Sequence, residues 1–264
     1  EDPVEDPVED PIVEVYEGPV YYIHNGSSNG NGSIDDPFNN FNDAMDMLRP
    51  GDQLLINPGY YTISSTIYTE RNGSHNNPIS IKALDMGNKP ILQREGDIDV
   101  LRIRHDHYMF EGLVIDGSWE FDNLVSIENS VDVLLKSSEF MYSERDAIRI
   151  DDSRDITVDE CYIHHILRKD GGERKDAHGI VAYSHRNLQI LNTDIAYVSG
   201  DGIQTDPHFN AEWDSLVISG CEIWTGPLDK DYCEYFKGDI PGENAVDFKT
   251  ATIEDTPEGY KPYV

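Results

Sequence analysis

Apolar and polar residues alternate in five stretches of the chain that superimpose: Tyr108–Ile115, Val133–Phe140, Ile156–Ile163, Leu188–Ile195 and Leu216–Ile223. Period-two alternation over this length predicts short strands with one buried face. Each stretch is followed by a second short apolar run. Four of these runs start with a polar, a small and an aliphatic residue: Asp146-Ala147-Ile148, His178-Gly179-Ile180, Asp201-Gly202-Ile203 and Asn244-Ala245-Val246. The stretches begin 25, 23, 32 and 28 residues apart. A repeat of this period built from strands and turns predicts an all-β solenoid, in which each coil buries its apolar face only by stacking on the next.

The flanks depart from the repeat. Residues 1–18 are an acidic, proline-rich segment opening EDPVEDPVEDPI, which predicts an extended, self-repelling tether to a surface. Residues 19–264 are expected to form one domain. Phe38, Phe41, Ala44, Met45 and Leu48 recur at helical spacing before Arg49-Pro50-Gly51, so an amphipathic helix over about 38–49 is expected to cap the open end of the stack. The runs near 51–56, 60–61, 78–83 and 90–93 are read as early, less regular coils. Lys261–Val264 looks like the start of another strand, which suggests that the solenoid continues in a longer chain.

Charge narrows the partners. The net charge is −31, and eight of the 51 acids lie in the first 17 residues, so most of the excess belongs to the domain. A nucleic-acid partner is disfavoured, because phosphate binding needs a basic footprint. No run of about 18 apolar residues occurs, so no membrane insertion is expected. The acidic surface suits a secreted or cell-surface protein, acting as a monomer or as part of a longer chain. Cys161 and Cys221 share one inward repeat position with Leu113, Ser138 and Thr193. They are separated by a whole coil, that of Thr193, and so lie roughly 9–10 Å apart, too far for a disulfide. Cys233 falls in a loop.

Aligning the second runs on their small residue produces two outward rows. One holds Arg149, Val181, Gln204 and Asp247; the other holds Asp151, Tyr183, Asp206 and Lys249. A row of Asp146, His178, Asp201 and Asn244 precedes them. Insertions at 164–175, 207–214 and 225–242 lengthen the loops beside these strands and are expected to wall a groove. The segment from Arg168 and Lys169 to Arg174 and Lys175 is the one basic cluster, a docking point for anionic sugar. Trp213 and Trp224, in or beside the insertions, are candidate sugar-stacking residues. Five histidines (His164, His165, His178, His185 and His208) lie close in sequence, but their spacing fits no zinc pattern.

The turn entering Gly51–Ile56, the helix before it and the Asp-Gly-Ile coils together resemble right-handed parallel β-helix carbohydrate-active proteins of the pectate-lyase-like type. The nearest comparison is with family 9 pectate lyases. That resemblance implies a right-handed β-helix and a polysaccharide lyase acting on a uronic-acid-containing glycan. It also implies calcium held by aspartates and a catalytic lysine. The equivalent coils here put only Asp201 in register with the expected ligands, and the lysine two positions late, so a shifted Ca²⁺ site using Asp201, Asp206 and Asp247 is the expectation. Lys249 is then the candidate base, and Tyr183 or His178 the candidate acid. Arg149 would bind the substrate carboxylate. Two alternatives stay open: a glycoside hydrolase using paired aspartates, and a non-catalytic carbohydrate-binding or adhesive β-helix.

Overall fold

The computed structural model describes residues 18–170, 173–206, 214–224, 226 and 242–249. Its strands wind through three parallel sheets that run the length of a β-helix. The first sheet stacks eight strands from Val20–Ile23 to Asp214–Ser219. The second stacks seven from Tyr60–Ile63 to Glu222–Trp224, and the third seven from Ile67–Tyr68 to Val246–Phe248. An antiparallel hairpin, Arg168–Asp170 with Glu173–Lys175, projects between the second and third sheets.

The repeat read from the sequence is the register observed. Tyr108, Val133, Ile156, Leu188 and Leu216 are successive partners in the first sheet. Ile115, Phe140, Ile163, Ile195 and Ile223 are successive partners in the second. The alternate positions of these strands point into one continuous core, where aliphatic residues stack on their equivalents one coil away. In these ladders aliphatic and aromatic side chains bury one another's apolar surface, which is where hydrophobic burial gains most.

The inward column of Leu113, Ser138, Cys161, Thr193 and Cys221 has a second task. Ser138 donates to the carbonyl of Lys136 at 2.8 Å and accepts the N–H of Leu113. Thr193 repeats both bonds with the Leu191 carbonyl and the Cys161 N–H. Cys161 turns its thiol on the Asp159 carbonyl, and Cys221 on that of Ser219. Both thiols are free. Burial pushes the Cys161 thiol up to about 11, which keeps it protonated and inert. Cys233 lies outside the described residues.

The cap helix is shorter than expected, Phe41–Met47. Phe38 instead bridges to Ile23, and Asn40 is extended, its side chain capping the N–H groups of Asn42 and Asp43. Leu48 has already left the helix with ψ 142°. Phe41, Ala44, Met45 and Leu48 are buried, and Phe41 meets Tyr61 edge to face at 5.4 Å. Residues 1–17 of the tether and residues 250–264 lie outside the described residues.

Where the second sheet turns into the third, one column reads Val100, Leu124, Ala147, Gly179, Gly202 and Ala245. At Gly202 a Cβ would fall 2.6 Å from the Ala245 carbonyl oxygen and 2.6 Å from the Cγ2 of Ile223. Gly179 is equally tight against Gly202 and Ile195. Only a bare backbone lets these coils approach at strand spacing. Gly202→Ala is therefore expected to cost about 1–3 kcal/mol by overpacking, read as a lower urea midpoint with the slope unchanged. A midpoint equal to that of the parent would show that the coils have room to spare.

Candidate functional site

The outer face of the third sheet carries the two rows read from the sequence. Arg149, Val181, Gln204 and Asp247 are successive partners. Asp151, Tyr183 and Asp206 form the second row, and the Lys249 N–H bonds the Thr205 carbonyl, which places Lys249 beside Asp206. Lys249 Nζ lies 3.7 Å from Asp247 Oδ2. The Arg149 guanidinium stacks on the Tyr183 ring at 4.8 Å and grips both carboxylate oxygens of Asp151, at 2.7 and 3.1 Å. Burial, with Asp146 adding to it, pushes the Tyr183 phenol up, so it holds its proton and can act as a donor. Val181 and Gln204, between Arg149 and Asp247 in this row, are buried.

The rows continue into two earlier coils. Arg102 and Ser126 precede Arg149, and Glu128 precedes Asp151. These side chains line a cleft of about 420 Å³ together with Phe121, Asp122, Asn123 and Arg145. Three arginines there face three acids, a balanced patch in a chain of net charge −31. Arg145 and Arg168 both lie over the Phe121 ring, at 5.6 and 4.9 Å. The basic hairpin thus touches the rim of the cleft. Its base is pinned by Ser199, which donates to the Lys175 carbonyl and accepts the Arg168 N–H. Lys169 and Arg174 are opposed in that hairpin.

The loop that presents Phe121 is organised from within. Arg94 is 2% exposed, and its guanidinium donates to the carbonyls of Ile98, Gly117, Glu120, Asp122 and Asn123 and to the Ser143 hydroxyl. One buried cation therefore satisfies a whole turn of otherwise orphaned main-chain oxygens.

Asp201 and His178 have backbone work of their own. Asp146 Oδ1 accepts the His178 N–H at 2.9 Å, His178 Nδ1 accepts the Asp201 N–H at 2.9 Å, and Asp201 Oδ1 accepts two N–H groups of Asn244. The His178 ring therefore carries its proton on Nε2. Asp201 lies at the corner before the strand Ile203–Asp206, five residues from Asp206, so the two can be up to about 16 Å apart at 3.3 Å per residue. The structure does not bring Asp201, Asp206 and Asp247 to one point, so the described residues do not fit the expected Ca²⁺ site.

Trp224 closes an aromatic ladder that steps through Trp119, Tyr142, His165 and Tyr197 at successive turns. With Trp119 and Tyr197 covering Leu167, this ladder is a satellite core beside the groove. His164 lies in a second-sheet strand, not in a loop: its Nε2 meets Glu139 at 2.9 Å and its Nδ1 meets that of His165 at 2.6 Å. Trp213, His208 and the insertions over 207–213 and 227–241 lie outside the described residues.

Sequence reasoning missed Arg102, Arg145, Phe121 and Arg94. Asp99-Val100-Leu101 and Asn123-Leu124-Val125 begin as the later coils do, but bulky Val100 and Leu124 hide the pattern.

A family model described as "Pel9A-like, right handed beta helix region" matches residues 20–230. A crystal structure of pectate lyase Pel9A is similar, with 18% identity and a TM-score of 0.64 over 82% of this chain and 58% of that one. A rhamnogalacturonan lyase aligns at 16% identity and a TM-score of 0.72, over 91% and 65%. The lacto-N-biosidase of family GH136 from Eubacterium ramulus aligns at 14% identity and a TM-score of 0.58, over 87% and 55%. The chain thus spans less than two thirds of the length of each of these structures. No curated protein sequence matches it significantly.

Two outcomes follow from this geometry. Arg94→Met is expected to cost about 3–5 kcal/mol, since it strands several buried carbonyls. Chemical denaturation measures this, and a loss under 1 kcal/mol would contradict it. Burial pushes His165 down to about 4, with His164 adding to it, and burial pushes His185 down to about 4 as well. Below the ordinary value of 6.5, the unfolded chain takes up these protons and the native fold does not. Thermal stability should therefore fall from pH 6.5 towards 4. Between pH 6.5 and 5 the slope should be shallower in a His165→Gln, His185→Gln double variant; an unchanged slope would refute the assignment.

Proposed function

The chain belongs to the Pel9A-like right-handed β-helix family, and from that premise we propose that it is a secreted polysaccharide lyase. It cleaves an acidic, uronic-acid-containing glycan by β-elimination on the outer face of the third sheet. The observation that supports this reading most is the register that sets Arg149, Tyr183, Asp206, Asp247 and Lys249 in neighbouring rows beside a basic hairpin.

In this reading the Lys249 amine takes the proton from C5 of a uronate ring. The C–H electron pair becomes the C4=C5 double bond. The C4–O bond breaks with its pair on the leaving oxygen, and Tyr183 or the Nε2–H of His178 protonates that oxygen. Arg149, Arg168 and Lys175 meet the substrate's carboxylates, and Trp224 flanks its rings. Positive charge beside the carboxylate stabilises the carbanion-like charge that develops at C5. Calcium enters no step. The tether of residues 1–18 would hold the enzyme away from a surface.

A second reading rests on one diagonal. Asp206 is two residues along the strand from Gln204, the partner of Asp247, which sets the Cα atoms of these two acids about 8 Å apart, within reach of the carboxyl spacing of inverting hydrolysis.

Incubation with pectate, rhamnogalacturonan, alginate and glycosaminoglycans separates the readings. Ultraviolet-absorbing, unsaturated products are expected from at least one. New reducing ends without absorbance would favour the hydrolase, and binding without cleavage would favour a surface adhesin. Lys249→Ala should abolish turnover with the fold intact, and loss of the acid, Tyr183→Phe or His178→Gln, should lower kcat by about 10²–10⁴. Near-normal activity in Lys249→Ala would refute the assignment of the base.

A further inference from the structure

Three successive coils place His75, His107 and Asp132 together at the turn from the third sheet into the first. Asp132 Oδ2 lies 2.9 Å from His107 Nδ1 and 3.6 Å from His75 Nδ1, and the three ligand atoms all fall within 4.8 Å of one another. A point roughly 2.4 Å or less from all three atoms exists within that triangle, close to the 2.0–2.2 Å of zinc–nitrogen and zinc–oxygen bonds. Among the described residues, no other set of three His, Cys, Asp or Glu side chains converges in this way.

The turn is built before any ligand arrives. The N–H of His107 bonds the Val131 carbonyl, and that of Ile79 bonds the His107 carbonyl. The excursion bearing His75 is docked by its neighbour: the Gly73 N–H reaches the Asp106 carbonyl at 2.8 Å. A Cβ on Gly73 would fall 2.4 Å from the His107 carbonyl oxygen, so the loop can lie there only with glycine at that position. Asp106 in turn accepts the Val131 N–H and donates its own to Asn72. His107 and Asp132 both have left-handed backbone, φ 61° and 58°, as do Asp155, Asn187 and Ser215 at the same place in later coils. The turn therefore needs a residue that tolerates this conformation, and aspartate, asparagine and serine meet that need elsewhere in the column. Nothing in the backbone requires an imidazole at 107, nor a second one arching over it from 75.

We infer that His75, His107 and Asp132 form a zinc site that clips three coils together, independent of the groove on the third sheet. Two imidazoles and one carboxylate suit Zn²⁺ and other late divalent metals, whereas Ca²⁺ takes oxygen ligands. His75 is 84% exposed, so its side chain can turn through the small distance that coordination requires, with water in the fourth position. The strong negative charge of the chain favours cation capture from dilute solution.

The test uses the whole chain stripped with EDTA, then titrated with ZnCl₂ by calorimetry and melted with and without the ion. The inference expects one zinc per chain and a higher melting temperature with Zn²⁺ and not with Ca²⁺. It also expects affinity at least tenfold weaker in His75→Ala and in Asp132→Asn. His75→Ala removes an exposed side chain and keeps the fold, so failure to fold does not cloud the result. Absence of zinc binding at 100-fold molar excess would overturn the inference. So would binding or stabilisation that is unchanged in both variants, because the metal would then sit elsewhere.

Discussion

Everything in this molecule depends on the coils stacking at one strand spacing with no slip. A shift by one residue would carry each strand's aliphatic set from the core to the outside. Three devices prevent it. Aliphatic ladders fill the interior, hydroxyl and thiol side chains stitch the first turn, and Gly179 and Gly202 let the corner backbones close. The ladder of Asp146, His178, Asp201 and Asn244 does the same work with polar atoms at the edge of the third sheet: Asp146, His178 and Asp201 each accept the main-chain N–H of the next member. Side chains that look like chemistry in a linear reading here hold register first.

That constraint also shapes the groove. Because strands cannot slide, the outward side chains of successive coils face one another in fixed rows. Charge is balanced locally although the chain as a whole is strongly acidic. Asp151 holds Arg149, Asp99 and Glu128 hold Arg102, and Asp247 sits beside Lys249. The buried Asp99 carboxyl is pushed up by burial and by Asp122, while Arg102 pulls against this. An acidic glycan entering the groove would exchange these internal partners for its own carboxylates. Long-range repulsion from the rest of the surface is screened within about 8 Å at physiological ionic strength.

The period and alternation of the chain were enough to read the solenoid, its repeat register and the two outward rows, because those depend only on side-chain spacing. The cap helix was legible but overlong. Phe38 and Leu48 fit helical spacing, yet one is drawn into a bridge with Ile23 and the other turns extended. Asp201, Asp206 and Asp247, expected together around Ca²⁺, are not brought to one point among the described residues, since equivalence in sequence columns says nothing about distance along a strand. The Arg94 anchor was invisible, because its partners are carbonyls, which leave no mark on composition. The trio of His75, His107 and Asp132 was invisible for another reason: His75 lies in an excursion outside the repeat, so no column alignment includes it.

The central claim is that an acidic glycan lies along the outer face of the third sheet. The most direct test is a crystal structure of the Lys249→Ala variant soaked with an acidic oligosaccharide that the parent protein cleaves or binds. The account predicts sugar density running between Arg149 and Asp247, with a carboxylate against Arg149. Density on the outer face of the first or second sheet, with the third-sheet groove empty, would contradict it.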